Sequence, residues 1–180
     1  MRESQRSDTA ERLWPCGARA IEGALKALDK SRCTEGRALV QALLESLGTL
    51  SSLASEIGPL GAENVKLHLE RLRARTEEIL RRAQVSGGMN KDAVEREMVA
   101  YADRVDVTEE LARLRSHLDQ FEAAIRNGGE VGKRLEFWCQ EILREVNTVG
   151  SKALESRITC RVVEMKNLVE KLREQVQNLE

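Results

Sequence analysis

The sequence predicts an all-α protein, an antiparallel helical hairpin followed by a C-terminal bundle of heptad-patterned helices. Three observations carry that expectation. Apolar residues recur at alternating spacings of four and three along most of the chain, the mark of a helix stripe. No segment alternates apolar and polar residues with period two over a useful length, so no sheet is expected. Of 180 residues, 33% are charged and 3% aromatic, with 12 glycines and 2 prolines. That mix is poor in what strands and frequent turns require.

The elements follow in order. Residues 1 to about 17 show no periodicity and are expected to be irregular, while Ala18, Ile21, Leu25 and Leu28 suggest one short helix. Together they make an N-terminal extension, residues 1–34. The hairpin, residues 35–88, opens with Gly36, Val40, Leu43, Leu47, Leu50, Ala54 and Ile57. Gly58-Pro59-Leu60-Gly61 is expected to stop this helix, because proline disfavours helical geometry before it and glycine suits a cap. The stripe restarts at Val65, Leu69, Leu72, Thr76, Ile79 and Ala83 and ends at Ser86-Gly87-Gly88. Leu39, Leu44 and Leu53 flank the hairpin seam and leave apolar surface that a second copy would cover.

The C-terminal region, residues 89–180, starts with Asn90 as a cap and a stripe of Val94, Met98, Tyr101 and Val105. Asp106 and Glu109 are spaced as a capping box. They open a helix carrying Val107, Leu111, Leu114, Leu118, Phe121 and Ile125, closed by Asn127-Gly128-Gly129. A further helix from about Val131 to Thr148 is expected to bury Leu135, Trp138, Ile142 and Val146. After Gly150-Ser151 the last one carries Ile158, Val162, Met165, Val169, Leu172, Val176 and Leu179.

Charge is balanced, with 29 Lys and Arg against 30 Asp and Glu, so a nucleic-acid partner has to be sought on single faces rather than in the sum. No apolar run approaches the roughly 20 residues of a membrane span, and MRESQRSDTAERLW lacks the apolar centre of a secretion signal. A cytoplasmic protein without a membrane partner is expected. Cys16, Cys33, Cys139 and Cys160 form no C-x-x-C pair, and with only His68 and His117 a zinc site of usual spacing is absent. The cysteines read as reduced thiols.

Two helix faces are chemically unusual. Glu110, Arg113, His117 and Gln120 share one face at spacings of 3, 4 and 3. Downstream, Gln140, Arg144 and Asn147 form a line continued by Ser151, and Glu141, Glu145 and Thr148 form a second, with Lys152 just beyond. Glu141 and Glu145, four apart, suit a hard divalent cation, magnesium or manganese. Arg113, Arg144 and Lys152 suit phosphate, and Gln140, Asn147 and Ser151 suit positioning of a nucleic-acid backbone. Histidine is the usual proton-transfer side chain, and His117 with Glu110 and Glu141 suits that role. The same residues equally describe a solvated charged face. Trp138 reads as core, and stacking of a base on Trp138 or Phe137 is the minority alternative.

The stretch from Asp106 through Val-Thr-Glu-Glu-Leu-Ala-Arg-Leu-Arg-Ser-His-Leu-Asp-Gln to Phe121 closely resembles the hallmark segment of the YicC/YloC family of bacterial endoribonucleases. So do Gly132-Lys-Arg-Leu, Gln140-Glu141, Arg144-Glu145, Asn147-Thr-Val-Gly-Ser-Lys152, the ending from Lys171 to Glu180, and Arg32 with Glu35-Gly36. The chain departs from the family at Leu135-Glu136-Phe137-Trp138 (usually Leu-Asp-Phe-Leu), at Leu143 and at Leu154-Glu155. The resemblance implies a cytoplasmic, divalent-metal-dependent ribonuclease that assembles as a hexamer and acts on RNA. It also implies an N-terminal domain that this chain does not match, so the chain resembles the C-terminal part of such a protein. A non-catalytic helical module for RNA binding or oligomerisation is the alternative.

Overall fold

The computed structural model describes residues 2–82, 91–153, 155–177 and 179. Among them five helices form: α1 Arg2–Arg82, α2 Lys91–Val105, α3 Thr108–Asn127, α4 Gly132–Lys152 and α5 Ser156–Gln177. No strand occurs among the described residues, so the all-α class is as the apolar spacing predicts. None of the described helices is long and apolar enough to cross a membrane. The chain divides into two units, Met1–Ala42 and Leu43–Glu180.

In the first unit the segment expected to be irregular is helical from Arg2. Its arginine, glutamate and alanine residues favour the helix intrinsically, and propensity needs no buried stripe to act. The stripe that does exist here is bare: Trp14 is 72% exposed, Ile21 58% and Leu25 56%.

In the second unit the hairpin expected at Gly58-Pro59 does not form, because α1 continues through both residues. Pro59 lacks the N–H that would reach the Ser55 carbonyl, but both residues lie on the exposed side, where water can serve that oxygen. On the opposite side Leu43, Leu47, Leu50, Ala54 and Ile57 are buried. Their burial offsets the roughly 3 kcal/mol a helical proline costs. Leu53 is buried as well, and Leu39 and Leu44 are half-buried, so the exposed apolar surface lies elsewhere than expected.

Gly61 is a point of close approach: a Cβ there would sit 2.8 Å from Cγ2 of Val107. Ion pairs from Arg161 to Glu56 at 2.9 Å and from Arg157 to Glu63 at 3.6 Å connect α1 with α5. The remaining core is made where α3 packs on α4 and α4 on α5. It centres on Leu114, Phe121, Leu135, Ile142, Met165 and Leu172.

The expected break between the last two helices forms, but beyond Gly150-Ser151: α4 runs on to Lys152 and α5 begins at Ser156. Gly150 is a point of close approach to α5, with Val162 Cγ1 only 2.9 Å from where a Cβ would lie. Gly150→Ala is therefore expected to destabilise by about 1–3 kcal/mol through overpacking. A urea midpoint shifted down at unchanged slope would show it.

The stop at Asn127-Gly128-Gly129 forms as expected, with Gly128 and Gly129 at φ of 66° and 85°, left-handed values that favour glycine. The expected boundaries at Ser86-Gly87-Gly88 and Asn90 lie outside the described residues.

At the start of α3 the capping box is only half made. Asp106 accepts the Thr108 N–H at 2.9 Å and its hydroxyl at 2.6 Å, while Glu109 turns to Arg113. The Thr108 hydroxyl, then its N–H, hold the Asp106 carboxyl below its ordinary 3.8. The stabilisation is complete above the ordinary aspartate range and is lost as pH falls through the depressed value. Asp106→Asn is expected to weaken the acid limb of a stability–pH curve while changing its neutral and alkaline slope little.

On α4 the buried stripe is Leu135, Cys139, Ile142, Glu145, Val146 and Val149. Trp138, expected in that stripe, sits half-buried at its edge, and Cys139 takes the central place. Burial pushes the Cys139 thiol up to about 11, so it stays protonated and unreactive near neutrality. Cys16, Cys33 and Cys160 are exposed. A native thiol titration is expected to count these three quickly and the fourth only on unfolding.

Candidate functional site

The site-bearing feature is the seam between α3 and α4. The two helices run antiparallel, as three cross-pairs show: Glu110 with Lys152, Arg113 with Glu145, and His117 with Trp138. On α3 these partners are spaced three and four apart, so one face delivers all of them to the seam.

The first two pairs make one charged cluster. Glu110 and Glu145 are only 3% and 5% exposed, a state carboxylates rarely tolerate unless paired. Lys152 Nζ donates to Glu110 Oε1 at 2.8 Å and to the Asp106 carbonyl at 2.9 Å. Arg113 donates to Glu145 Oε2 at 3.1 Å, Glu110 Oε1 at 3.3 Å and Glu109 Oε1 at 2.6 Å. The hydrogen bond to Glu145, then the neighbouring carboxylates, raises the Arg113 guanidinium above its ordinary range. One acceptor is left over: Glu110 Oε2 is buried with no hydrogen-bond partner. Such an orphaned oxygen costs about 1–3 kcal/mol, and it invites a donor or a cation.

The third pair lies at the other end of the seam. The His117 and Trp138 rings are 5.4 Å apart and tilted by 35°, and Phe137 meets Trp138 edge-on at 5.1 Å. His117 stands two turns from Glu110, about 10 Å along the helix. The two groups therefore do not bond directly, and would act on opposite ends of anything lying along the seam.

The other expected site residues are placed as follows. Glu141 is half-buried and faces Arg144 at 3.8 Å. Gln140, Arg144, Asn147 and Ser151 are exposed on the outer side of α4, away from its buried stripe. The Ser151 hydroxyl donates to the Thr148 carbonyl at 2.9 Å. The seam thus gathers Glu110, Arg113, Glu145 and Lys152, and the outer line stands apart from it. Sequence reasoning missed the Asp106 carbonyl as a Lys152 partner and Glu109 as an Arg113 partner. The i,i+4 spacing of Glu109 and Arg113 signalled the second. Nothing local signalled the first, which spans 46 positions.

A divalent cation needs several oxygen donors around one point. Among the described residues no group of three His, Cys, Asp or Glu is arranged so as to hold a metal ion. Glu145 gives one oxygen to Arg113, and Glu141 stands one turn away on the same helix. Glu141 itself pairs with Arg144, so each of the two carboxylates already faces an arginine of its own.

Fold and seam together define an all-α protein built round a buried carboxylate–cation cluster at a helix–helix contact. The sequence comparisons are specific beyond that. A family description, endoribonuclease YicC-like, C-terminal, matches residues 59–180, and the chain belongs to this family. It is 32% identical over 176 residues to the probable endoribonuclease YicC of Clostridioides difficile (strain 630), covering 98% of this chain and 59% of that one. Against the probable endoribonuclease YicC of Haemophilus influenzae (strain ATCC 51907 / DSM 11121 / KW20 / Rd) it is 46% identical over 92 residues, 51% of this chain and 32% of that one. The chain thus spans about three fifths of the first relative and a third of the second.

Proposed function

We propose that this chain cleaves RNA internally at phosphodiester bonds, with the α3–α4 seam as its active site. The observation that carries the reading is Glu110 Oε2, a buried carboxylate oxygen without a partner beside two cations. The relatives' name, probable endoribonuclease, supports the reaction class. Glu110 takes the proton from the attacking oxygen as its bond to phosphorus forms. His117, at the far end of the seam, returns a proton to the leaving 5′ oxygen as the other phosphorus–oxygen bond breaks. Arg113 and Lys152 neutralise the phosphate in the seam, and Arg144 with Gln140, Asn147 and Ser151 holds the phosphate backbone outside it. Glu141 with Glu145 would hold a magnesium or manganese ion, which would polarise the phosphate when bound.

The test is incubation of end-labelled RNA with the chain, with magnesium or manganese and with a chelator. Internal cleavage that the chelator stops is the expected result. Cleavage that survives the chelator removes the metal from the proposal, and no cleavage under any condition removes the activity.

Assembly belongs to the same proposal. Trp14, Ile21, Leu25 and Leu28 form an exposed apolar stripe on α1, more than a monomer comfortably leaves in water. A cytoplasmic homo-oligomer, a hexamer by family resemblance, would cover it. Light scattering at micromolar concentration is expected to give a multiple of 20.2 kDa, and a stable monomer would refute it. A non-catalytic role in RNA binding or oligomerisation is the second reading, favoured by the pairing of every seam charge except that one oxygen.

A further inference from the structure

The outer line of α4 runs Lys133, Phe137, Gln140, Arg144, Asn147 and Ser151, spaced four and three apart and exposed at every position. It extends about 27 Å at the helical rise. The make-up of this line is unlike an ordinary solvent face. It carries two cations, two amides, a hydroxyl and an aromatic ring, and no carboxylate, in a chain with 30 acidic residues. Phe137 is 51% exposed, although the chain has only two phenylalanines. One edge of the exposed ring is fixed, because Phe137 packs against Trp138, which itself leans on His117. The ring is thus held beside Trp138 while half of the residue stays exposed.

We infer that this line binds single-stranded RNA, with Phe137 stacking on an unpaired base while Lys133 and Arg144 meet the flanking phosphates. The inference rests on the RNA reading proposed above and narrows it to unpaired substrate. Charge complementarity selects a polyanion as the occupant, since the line itself carries Lys133 and Arg144 and no acid, and the one carboxylate paired with Arg144, Glu141 at 3.8 Å, stands beside the line and is half-buried. The exposed ring selects a single strand over a duplex, because bases in a duplex have their faces covered by stacking. The amides and hydroxyl suit bonds to phosphate and sugar that do not depend on sequence. Running along the helix opposite the buried stripe, the line would hold the strand on the outer side of α4, apart from the α3–α4 seam.

The experiment measures affinity of the full chain for a labelled 12-nucleotide single-stranded RNA and for its duplex, in chelator so that binding is read apart from cleavage. Phe137→Ala and Phe137→Leu are expected to weaken single-strand binding by about 5- to 100-fold, and Phe137→Trp to retain it. Duplex binding is expected to change little. Single-strand binding should fall with salt at a slope reduced by about 0.7 in Lys133→Ala. In a Trp14→Phe background the remaining Trp138 emission should be quenched by the single strand, and not in Phe137→Ala. Helical content and melting temperature report whether each variant folds.

Binding that depends on Phe137 without any cleavage supports this inference and refutes the nuclease. Cleavage and binding unaltered by Phe137→Ala and Phe137→Leu overturn the inference and leave the nuclease standing. A Phe137→Ala variant that changes oligomeric state but not RNA affinity also overturns it, and assigns the ring to contact with a second copy.

Discussion

Lys152→Met is expected to cost about 3 kcal/mol of stability, the range seen when one partner of a buried ion pair is removed. In a chain of this length that lowers the melting temperature by roughly 6–12 °C. Methionine keeps most of the aliphatic stem, so the loss comes from the charge and its hydrogen bonds rather than from packing. Glu110, 3% exposed, would keep only the Arg113 contact at 3.3 Å, and its second oxygen has no partner already. The double variant Glu110→Gln/Lys152→Met should recover most of the loss, because a neutral amide needs no counter-charge. A double variant no more stable than Lys152→Met would show that Lys152 acts through its bond to the Asp106 carbonyl instead.

The class of fold was legible because the four–three apolar spacing is a property of neighbours along one helix. What the spacing could not distinguish is why a glycine stands where it does. Gly61 and Gly150 both read as stops, and both lie inside helices where Val107 and Val162 come within 3 Å of a missing Cβ. A terminating glycine and a close-approach glycine look alike in sequence, since the neighbour that decides between them comes from another part of the chain. Gly128 and Gly129 were read correctly because two adjacent glycines after a basic last turn signal a left-handed exit by themselves. Pro59 misled for a related reason. Its cost is local, while the burial of Leu50, Ala54 and Ile57 that outweighs it is not.

The site shows the same division. Glu110, Arg113 and His117 were recognisable as one face because their spacing is intrahelical, and likewise Gln140, Arg144 and Asn147. That Lys152 would reach Glu110, 42 positions away, depends on the antiparallel register of α3 and α4, which the apolar stripes do not specify. Nor did sequence distinguish Glu145 from Glu141. They are one turn apart, yet Glu145 is buried on Arg113 and Glu141 is half-buried beside Arg144.

Glu110→Gln is the variant expected to affect cleavage most. A proton-transferring carboxylate replaced by its amide typically forfeits a factor of about 10²–10⁴, so kcat should fall at least about 100-fold, equivalent to about 2.7 kcal/mol in the barrier. The amide keeps the shape of the side chain and can still accept from Lys152, so KM and single-strand affinity should move little. Stability should also hold to within about the worth of the weakened hydrogen bond, near 1.5–3 kcal/mol for a charged partner. A structural carboxylate would behave otherwise: cleavage would track the fraction folded, and would return to the parental rate at a temperature where the variant is fully native. Rate measurements on folded protein therefore decide the matter. A kcat within threefold of the parent under those conditions would remove Glu110 from the chemistry and leave the α3–α4 cluster as a purely structural clasp between two helices.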